Sequence, residues 1–439
     1  MPVHIYADEL VGRIKKVWRK TWLYVRGEEP PPLPADGILH RLLDVAYHAS
    51  LMTEEGRRPC FHIVCCTREE FDRGGPRIRS CVKTTFAEPV AFDENQLLRL
   101  APATDPASVL IAVEPGPGKA GNELRIWGLI DAGSSWWSHM RRESDRTIHS
   151  PPDLLTISSQ RPGQLVISRA WRDLLKLENG RIVLPPVDVF LDGPVADEFA
   201  APIAELCRRI SPPGVPEDRY EPQLTRHNCT VKYVTYIKRL LMYFMDQLHG
   251  GLLVIVPEEL ADDPKLSSLV AIKYCCRHYG AWEKLIDALK LRRTWSEAGA
   301  RIVGSTGLCE KERVLELTHL RSGMEEMEHE MSDRLQLIAA LSGVDGAVVL
   351  TDRLRLLGFG AELKGAATVS VVYRALDSRA RQREQVLPET FGTRHRSAFR
   401  FAADFGKGTV FVHSQDGGLK AVKKLGRDVV YWDVNPVSD

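Results

Sequence analysis

Short apolar runs that alternate with polar residues dominate the chain between about residues 59 and 195. Runs of this length, separated by turns rich in Gly, Pro and Asp, are typical of β-strands. The strand-like runs are CFHIVCC, SVLIAVE, LRIWGLID, DLLTISS, QLVISRA and VDVFLDG. Ahead of them, apolar residues at helical spacing (Leu10, Ile14, Val17, Trp18) predict a helix from about residue 7 to 24. We therefore predict a strand-rich N-terminal domain that includes helices.

A proline-rich segment separates this region from a different pattern. SPPGVPEDRYEPQ, residues 211–223, holds four prolines and a glycine in thirteen residues. Such a composition favours a linker. The predicted organisation is a domain over 1–210, a linker over 211–223, a domain over 224–430 and a tail over 431–439.

Helical and strand-like patterns alternate after the linker. Helical patterns cover about 231–248, 265–290 and 324–341. The strand-like runs are GGLLVIVP, DGAVVLTD, LRLLGFGAEL and TVFVHSQDGGLKAV. Helices interleaved with apolar strands predict an α/β layered domain.

A further amphipathic helix is predicted in GTRHRSAFRFA and the residues after it. Ala398, Phe401, Ala402 and Phe405 recur at helical spacing, and glycines follow the last of them. Arg394, His395 and Arg396 then fall in the first turn, where the helix dipole disfavours cations. A structural ion-pair cluster or a bound phosphate would each offset this crowding, because first-turn amides and guanidinium groups both bind anions. The residues alone leave both explanations open.

A carboxylate precedes one of the apolar strands. In GVDGAVVLTD, Asp345 comes before a glycine and a run of strand formers, so it is predicted at the mouth of a strand. Gly346 would allow a close approach of the backbone to a ligand. An acidic residue so placed can hold Mg²⁺ or Mn²⁺ on phosphate oxygens or accept a hydroxyl proton. Taken alone, Asp-Gly is more often a simple turn.

Composition and charge exclude several classes of function. The 439 residues are 44% hydrophobic and carry 59 basic and 58 acidic side chains, so no global field would hold nucleic acid or an anionic membrane. No apolar run approaches the ~18 residues that span a bilayer, and the N-terminal residues lack the apolar centre of a signal peptide. We expect a cytoplasmic protein that binds any anion locally, with neither a membrane nor nucleic acid as its partner.

Two other candidate sites are weak. Nine scattered cysteines fit reduced thiols better than a disulfide framework. The clusters HIVCC and CCRH lack the gap that lets two thiolates face one zinc ion, so buried free thiols are favoured. EPGPGKAGNE contains Gly118-Lys119, but its spacing does not fit a phosphate-binding loop and instead predicts a hairpin connection.

Taken together, the motifs resemble a known family. DGAVVL, LLGFGAEL, ETFGTRHRSAFRFA and VFVHSQDGG, in this order, are similar to the diadenylate cyclase domain, whose hallmarks are a DGA motif and an RHR motif after Gly-Thr. MDQLHGGLLVIVPEE also looks like the first strand of that domain. The resemblance covers about residues 231–422.

The resemblance implies an activity and a fold. The activity is the condensation of two ATP molecules into cyclic di-AMP with release of two pyrophosphates, dependent on Mg²⁺ or Mn²⁺, between two domains that meet face to face. The fold is a mixed central β-sheet flanked by helices. By motif matching, Asp345 would assist the attacking hydroxyl and hold the metal. The other residues implied are Gly346 and Ala347 beside the nucleotide, Thr393, Arg394, His395, Arg396 and Ser397 on the phosphates, Leu363 in the adenine pocket, and Asp416 as a second metal ligand.

Two features qualify this resemblance. The segments 251–345 and 345–393 look longer than in compact members, and such insertions can form partner contacts, cover the site or block face-to-face pairing. Blocked pairing would leave a nucleotide receptor, and a protein-interaction scaffold is a third hypothesis.

The N-terminal region, in runs such as LRIWGLID, resembles the probable sensor domain DACNV, which implies regulation by an unidentified signal. A folding or dimerisation module is the plain alternative.

Overall fold

A computed structural model divides the chain into two compact units. The first unit comprises residues 1–140, 146–185 and 438–439, and the second comprises residues 141–145 and 186–437. The structure describes residues 7–18, 31–53, 60–73, 81–104, 109–116, 123–131, 154–159, 161–169, 172–183, 188–211, 222–247, 249–277, 279–303, 311–414 and 418–436. Within these ranges, no helix combines the length and the apolar character needed to cross a bilayer.

A mixed sheet forms the centre of the first unit. Its strands are β1 (Phe61–Cys65), β2 (Val82–Ala91), β3 (Val109–Pro115), β4 (Leu124–Asp131), β5 (Leu155–Ser159), β6 (Gln164–Arg169), β7 (Arg172–Glu178) and β8 (Arg181–Val183). They lie in the order β2-β4-β3-β1-β5-β6-β7-β8. β1 and β3 are parallel and their other neighbours antiparallel. The antiparallel β3–β4 pair agrees with the predicted hairpin, whose residues 117–122 lie outside the described ranges.

Both faces of this sheet are covered by apolar side chains. The helices of the first unit are α1 (Ala7–Trp18), α2 (Asp36–Leu51), α3 (Arg68–Arg73) and α4 (Glu94–Leu100). Residues of α1, α2 and α4 pack with Phe61 and Ile63 on one face, and a smaller cluster around Val64 and Trp127 lies apart from it. Leu10, Ile14 and Trp18 are buried, as the helical spacing predicts. VDVFLDG is not a strand, because its described residues 188–193 form turns and bends.

The second unit contains a longer mixed sheet. Its strands are β9 (Gly251–Val256), β10 (Val270–Ala271), β11 (Tyr274–Cys275), β12 (Ala347–Thr351), β13 (Leu356–Leu363), β14 (Val372–Ala375), β15 (Arg383–Val386), β16 (Thr409–Ser414), β17 (Gly418–Leu425) and β18 (Asp428–Val434). The order is β10-β13-β12-β9-β16-β17-β18-β14-β15, and β11 also pairs with β13. β9 runs parallel to β12 and β14 parallel to β18.

Helices cover both faces of the second sheet. They are α5 (Pro194–Glu198), α6 (Ala200–Ile210), α7 (Pro222–Met245), α8 (Pro264–Leu269), α9 (Trp282–Val303), α10 (Lys311–Ala340) and α11 (Thr393–Phe405). Leu253 and Ile255 of β9 belong to the core shared with α6, α7, α9 and α10. Leu252 and Val254 belong to the core shared with α8 and α11. Because successive strand residues point to opposite faces, β9 is buried on both sides, and the predicted α/β class is confirmed.

The division between the units lies before the proline-rich segment. The sequence places a boundary at 211–223, whereas residues 186–210 belong to the second unit. Glu198 of α5 accepts hydrogen bonds from the Gly408 amide (2.6 Å) and the Thr409 hydroxyl (2.7 Å). Buried apolar residues of α6, such as Leu206, share the core of the second unit. The helices before and after the proline-rich segment share one core, so its composition does not mark the domain boundary.

Two predicted helices differ in extent. The pattern over 265–290 predicts one helical region, but α8 ends at Leu269 and α9 begins at Trp282. The residues between them form β10 and β11, which pair with β13, so sheet pairing overrides the local helical pattern. The helix predicted over 324–341 begins earlier, at Lys311.

The longer segment between Asp345 and Thr393 extends the sheet. Its residues form the hairpin β14–β15, and β14 pairs in parallel with β18. Arg374 of β14 forms an ion pair with Asp433 of β18 at 2.8 Å. This part of the insertion therefore continues the sheet beyond β18.

Candidate functional site

Four strands of the second unit begin or end at one edge of the sheet. Ala347 at the start of β12 is paired with Leu252 near the start of β9 and with Ala361 near the end of β13. His413 near the end of β16 is paired with Gly251, the first residue of β9. The DGA segment, the end of the LLGFGAEL run and the VFVHS run therefore meet at this edge, which we call the motif edge.

Gly346 has a backbone conformation that favours glycine. Its φ angle is +119°, and a Cβ atom there would lie 2.5 Å from the carbonyl carbon of Gly360 in β13. The close approach predicted at Gly346 is therefore made to the neighbouring strand, which by itself accounts for this glycine. Ala347 is buried in the sheet. Both residues fix where Asp345 lies.

Asp345 is exposed at the motif edge. It follows a short 3₁₀ helix, Leu341–Gly343, and precedes the first residue of β12 by two positions. Because this carboxylate is exposed, it can bind a ligand without first breaking an interaction with a buried partner. Within the described part of the chain, no group of three or more His, Cys, Asp or Glu side chains is placed to hold a metal ion. Asp416 lies outside the described residues.

The RHR segment opens a helix, as predicted. α11 begins at Thr393, its N-cap is Gly392, and no side chain caps its first amides. Thr393, Arg394 and Arg396 are exposed. A methyl group on Gly250, the residue before β9, would lie 3.2 Å from Nη1 of Arg394. The guanidinium of Arg394 therefore lies at the motif edge.

His395 differs from the two arginines. It is 6% exposed and lies beside the rings of Phe391 (5.1 Å between centroids) and Phe399 (6.3 Å). Burial, with a smaller contribution from Lys420, lowers the pKa of His395 to about 4. The imidazole is therefore neutral near pH 7, and its Nε2 is buried without a hydrogen-bond partner. The predicted set of three cations at this helix start is corrected to two.

The remaining predicted residues lie beside this helix or on the same core. The hydroxyl of Ser397 donates to the Thr393 carbonyl at 3.0 Å. Leu363 is half-buried, is paired with Val270 and packs against the core that contains Ala398 of α11. The structure thus brings Leu363, α11 and the start of β12 to one side of the sheet.

The sequence analysis did not identify His413 or the ion pair between Lys420 and Asp433 as candidate site residues. His413, quoted there only within a strand-like run, packs edge-on against Phe244 at 6.0 Å, and its Nδ1 is buried without a partner. Burial and the nearby charge of Arg394 lower the pKa of His413. Lys420 donates to Asp433 at 2.8 Å next to His395. Burial alone would raise the pKa of Asp433, but Lys420 and Arg374 outweigh it and lower this pKa.

Comparison with known proteins concerns the first unit. Residues 28–131 match the family model described as Probable sensor domain DACNV. The match spans the elements from α2 to β4 of the first unit, and we call residues 28–131 the DACNV region. No curated protein and no solved structure matches the chain.

The DACNV region contains both polar and apolar features of its own. It includes α3, the buried Trp127 of β4 and the thiols of Cys65, Cys66 and Cys81. Burial raises the pKa of Cys65 to about 12 and that of Cys81 to about 11. These thiols are protonated at neutral pH. Of the two clusters predicted to hold buried free thiols, HIVCC has a buried Cys66 and a partly buried Cys65, whereas in CCRH Cys275 is exposed and Cys276 partly buried, so the prediction is wrong for CCRH.

Proposed function

We propose that the second unit is a metal-dependent diadenylate cyclase, which condenses two ATP molecules into cyclic di-AMP and releases two pyrophosphates. We further propose that the DACNV region controls it and that the reaction takes place in the cytoplasm. A DACNV sensor domain accompanies diadenylate cyclases, and its presence in residues 28–131 supports this assignment.

The observation that carries the proposal is the meeting of the two motifs at the motif edge. Asp345 and Arg394 are 49 positions apart in sequence, yet the first lies two residues before β12 and the second lies beside Gly250 at the start of β9, the neighbour of β12. A carboxylate and a guanidinium at adjacent strand ends, next to the uncapped amides of α11, form a set of groups suited to a nucleoside triphosphate.

The proposed reaction is two reciprocal phosphoryl transfers. In each, the 3′-hydroxyl oxygen of one ATP attacks the α-phosphorus of the other, and the bond from that phosphorus to pyrophosphate breaks. Asp345 accepts the hydroxyl proton and, being exposed, passes it to solvent. Arg394 and Arg396 pair with phosphate oxygens as charge moves to the leaving pyrophosphate. His395 is neutral, and its packing against Phe391 and Phe399 holds the first turn of α11 in place.

A divalent cation and a second copy of the chain complete the proposed site. Mg²⁺ characteristically uses one or two carboxylates together with substrate phosphates, so a single exposed Asp345 fits its requirements. When bound, Mg²⁺ or Mn²⁺ neutralises charge on the phosphates. Because the two nucleotides must face each other, one site needs a second opposite it, and we propose self-association through the motif edge.

The test is the product formed from ATP. Purified full-length protein is incubated with ATP and Mn²⁺ or Mg²⁺, and cyclic di-AMP and pyrophosphate are measured by chromatography and mass analysis. We expect wild type to form both and Asp345→Asn to lose about 100-fold or more in rate, the usual contribution of a general base. Asp262→Asn removes an exposed carboxylate elsewhere in the second unit and should leave the rate unchanged.

Three results would contradict the proposal. Binding of ATP without any cyclic dinucleotide, over a range of metal and protein concentrations, would identify a nucleotide receptor. Equal rates for wild type and Asp345→Asn would exclude the assigned role of this carboxylate. Absence of ATP binding would favour the interaction scaffold.

A further inference from the structure

Two nitrogens of one arginine side chain in the first unit are buried without a hydrogen-bond partner. Arg68 begins α3, and its Nε and Nη2 atoms are shielded from solvent and form no hydrogen bond. Among the described residues, Arg68 is the only arginine with two such nitrogens. Arg68 as a whole is only partly buried, but shielded N–H donors without an acceptor are unfavourable, so a partner for these two nitrogens is expected.

The surroundings hold this cation in one place. Its Cζ lies 5.9 Å from the centroid of the Trp127 ring, and Trp127 is fully buried. The indole N–H of Trp127 donates to the Cys66 carbonyl at 2.8 Å. Phe71 packs edge-on against the same ring at 6.0 Å. The aromatic face that carries the guanidinium is therefore itself fixed, which lowers the entropic cost of binding.

Two carboxylates at the start of α3 bond backbone amides rather than the guanidinium. Glu114 accepts a hydrogen bond from the backbone N–H of Arg68 at 3.0 Å, and Glu70 accepts one from the backbone N–H of Thr67 at 2.9 Å. Neither forms an ion pair with the Arg68 side chain, whose Nε and Nη2 have no acceptor in the structure. An internal ion pair therefore does not explain this residue.

The two unpaired atoms define the chemistry of the missing partner. Nε–H and Nη2–H form one edge of the guanidinium, and two parallel donors of this kind match the oxygens of a carboxylate or a phosphate. We propose that Arg68 binds the carboxylate or phosphate group of a small anionic ligand, and that this is the signal-binding site of the DACNV region. The proposal rests on the sensor assignment and is independent of the cyclase activity.

Shielding of this edge links binding to movement. Because both nitrogens are closed to solvent, neighbouring atoms must move aside before a ligand can reach them. A ligand that binds the opened arrangement better than the closed one shifts the population between them. A sensor requires such a link.

Binding of simple anions to the full-length chain tests the proposal. Inorganic phosphate and malonate are titrated separately, in a buffer free of both groups, with heat of binding and the thermal midpoint as readouts. We expect saturable binding of at least one anion by wild type, and the stronger response separates a phosphate ligand from a carboxylate ligand. Arg68→Gln should weaken it about 30-fold or more, as loss of a buried charged partner does. Arg68→Lys should weaken it less, because one ammonium replaces the fork of two donors.

A matched control and the ligand-free stability complete the design. Arg99→Gln changes an exposed arginine of α4 in the same unit and should bind like wild type. Without anions, Arg68→Gln should unfold at the same or a higher temperature than wild type, because two shielded donors without acceptors are removed. Any of three results would overturn the proposal: no saturable response of wild type to either anion, the same response in Arg68→Gln, or a lower ligand-free midpoint of that variant.

Discussion

His395 and the arginines on either side of it share one helical turn but have different environments. Successive residues of a helix are rotated by about 100°, so a buried residue has neighbours that point away from the core on both sides. His395 precedes the buried Ala398 and Phe399 by three and four positions, which places it on the same face. The helical spacing thus contained the signal that separates His395 from Arg394 and Arg396.

Burial of His395 predicts a pH dependence of stability. Its folded pKa of about 4 lies below the ordinary value of 6.5, so between these pH values the unfolded chain binds a proton that the folded chain does not. Stability from this residue is therefore present above pH 6.5 and is lost as the pH falls toward 4. At about pH 5 the loss should be about 1–2 kcal/mol relative to about pH 7.5.

Urea unfolding of His395→Phe at the two pH values measures this effect. Phenylalanine keeps an aromatic ring beside Phe391 and Phe399 but cannot bind a proton, so the variant should lose less stability on acidification than wild type. His319→Phe, at an exposed position of α10, should keep the pH dependence of wild type. The same pH dependence in wild type and His395→Phe would show that this imidazole does not account for it.

At the scale of elements, the start of β12 depends on contact between two backbones. Gly346→Ala would place a Cβ 2.5 Å from the Gly360 carbonyl carbon and hold a non-glycine residue at φ +119°. We expect a loss of about 2–4 kcal/mol in the free energy of unfolding, from strain and the displacement of β13. Denaturant unfolding measures the loss. Cyclase activity should fall with it, since Asp345 would shift.

The neighbouring Gly343 provides the control for this substitution. A Cβ on Gly343 meets nothing within 4 Å. Gly343→Ala should therefore change stability by no more than about 0.5 kcal/mol. If both variants were equally stable, the close packing of Gly346 against β13 would not be a determinant of the fold.

The elements show where sequence patterns succeed and where they do not. β9 and β12 are predictable because burial on both faces leaves a continuous apolar run, and α11 is predictable because burial of one stripe leaves apolar residues at helical spacing. β10 and β11 are only two residues long, and their pairing with β13 is a long-range contact that no local window contains. The sequence predicts that Gly346 allows a close approach to a ligand, whereas the structure shows a close approach to Gly360 of β13. This contact depends on how β12 and β13 are paired, which the local sequence does not specify.

At the scale of the whole molecule, the extent of the second unit was the main difference from the sequence prediction. A proline-rich stretch records where the backbone is irregular, but a domain boundary depends on which core the flanking helices join. Phe199, Leu206 and Ile210 face the same core as Tyr233 of α7. The centroids of the Phe199 and Tyr233 rings are 5.5 Å apart. The residues before the prolines therefore complete the second unit.

This extent predicts which fragments fold. A fragment over 186–439 retains α5 and α6, whereas one over 224–439, the predicted boundary, loses them and exposes the apolar surface of α7. We expect the longer fragment to unfold cooperatively and the shorter one to aggregate or to unfold at a lower temperature, as followed by circular dichroism. Leu206→Ala in the longer fragment should cost about 2–5 kcal/mol, since Leu206 is fully buried. Equal stability of the two fragments would mean that α5 and α6 are dispensable for this core and that the boundary lies at the prolines after all.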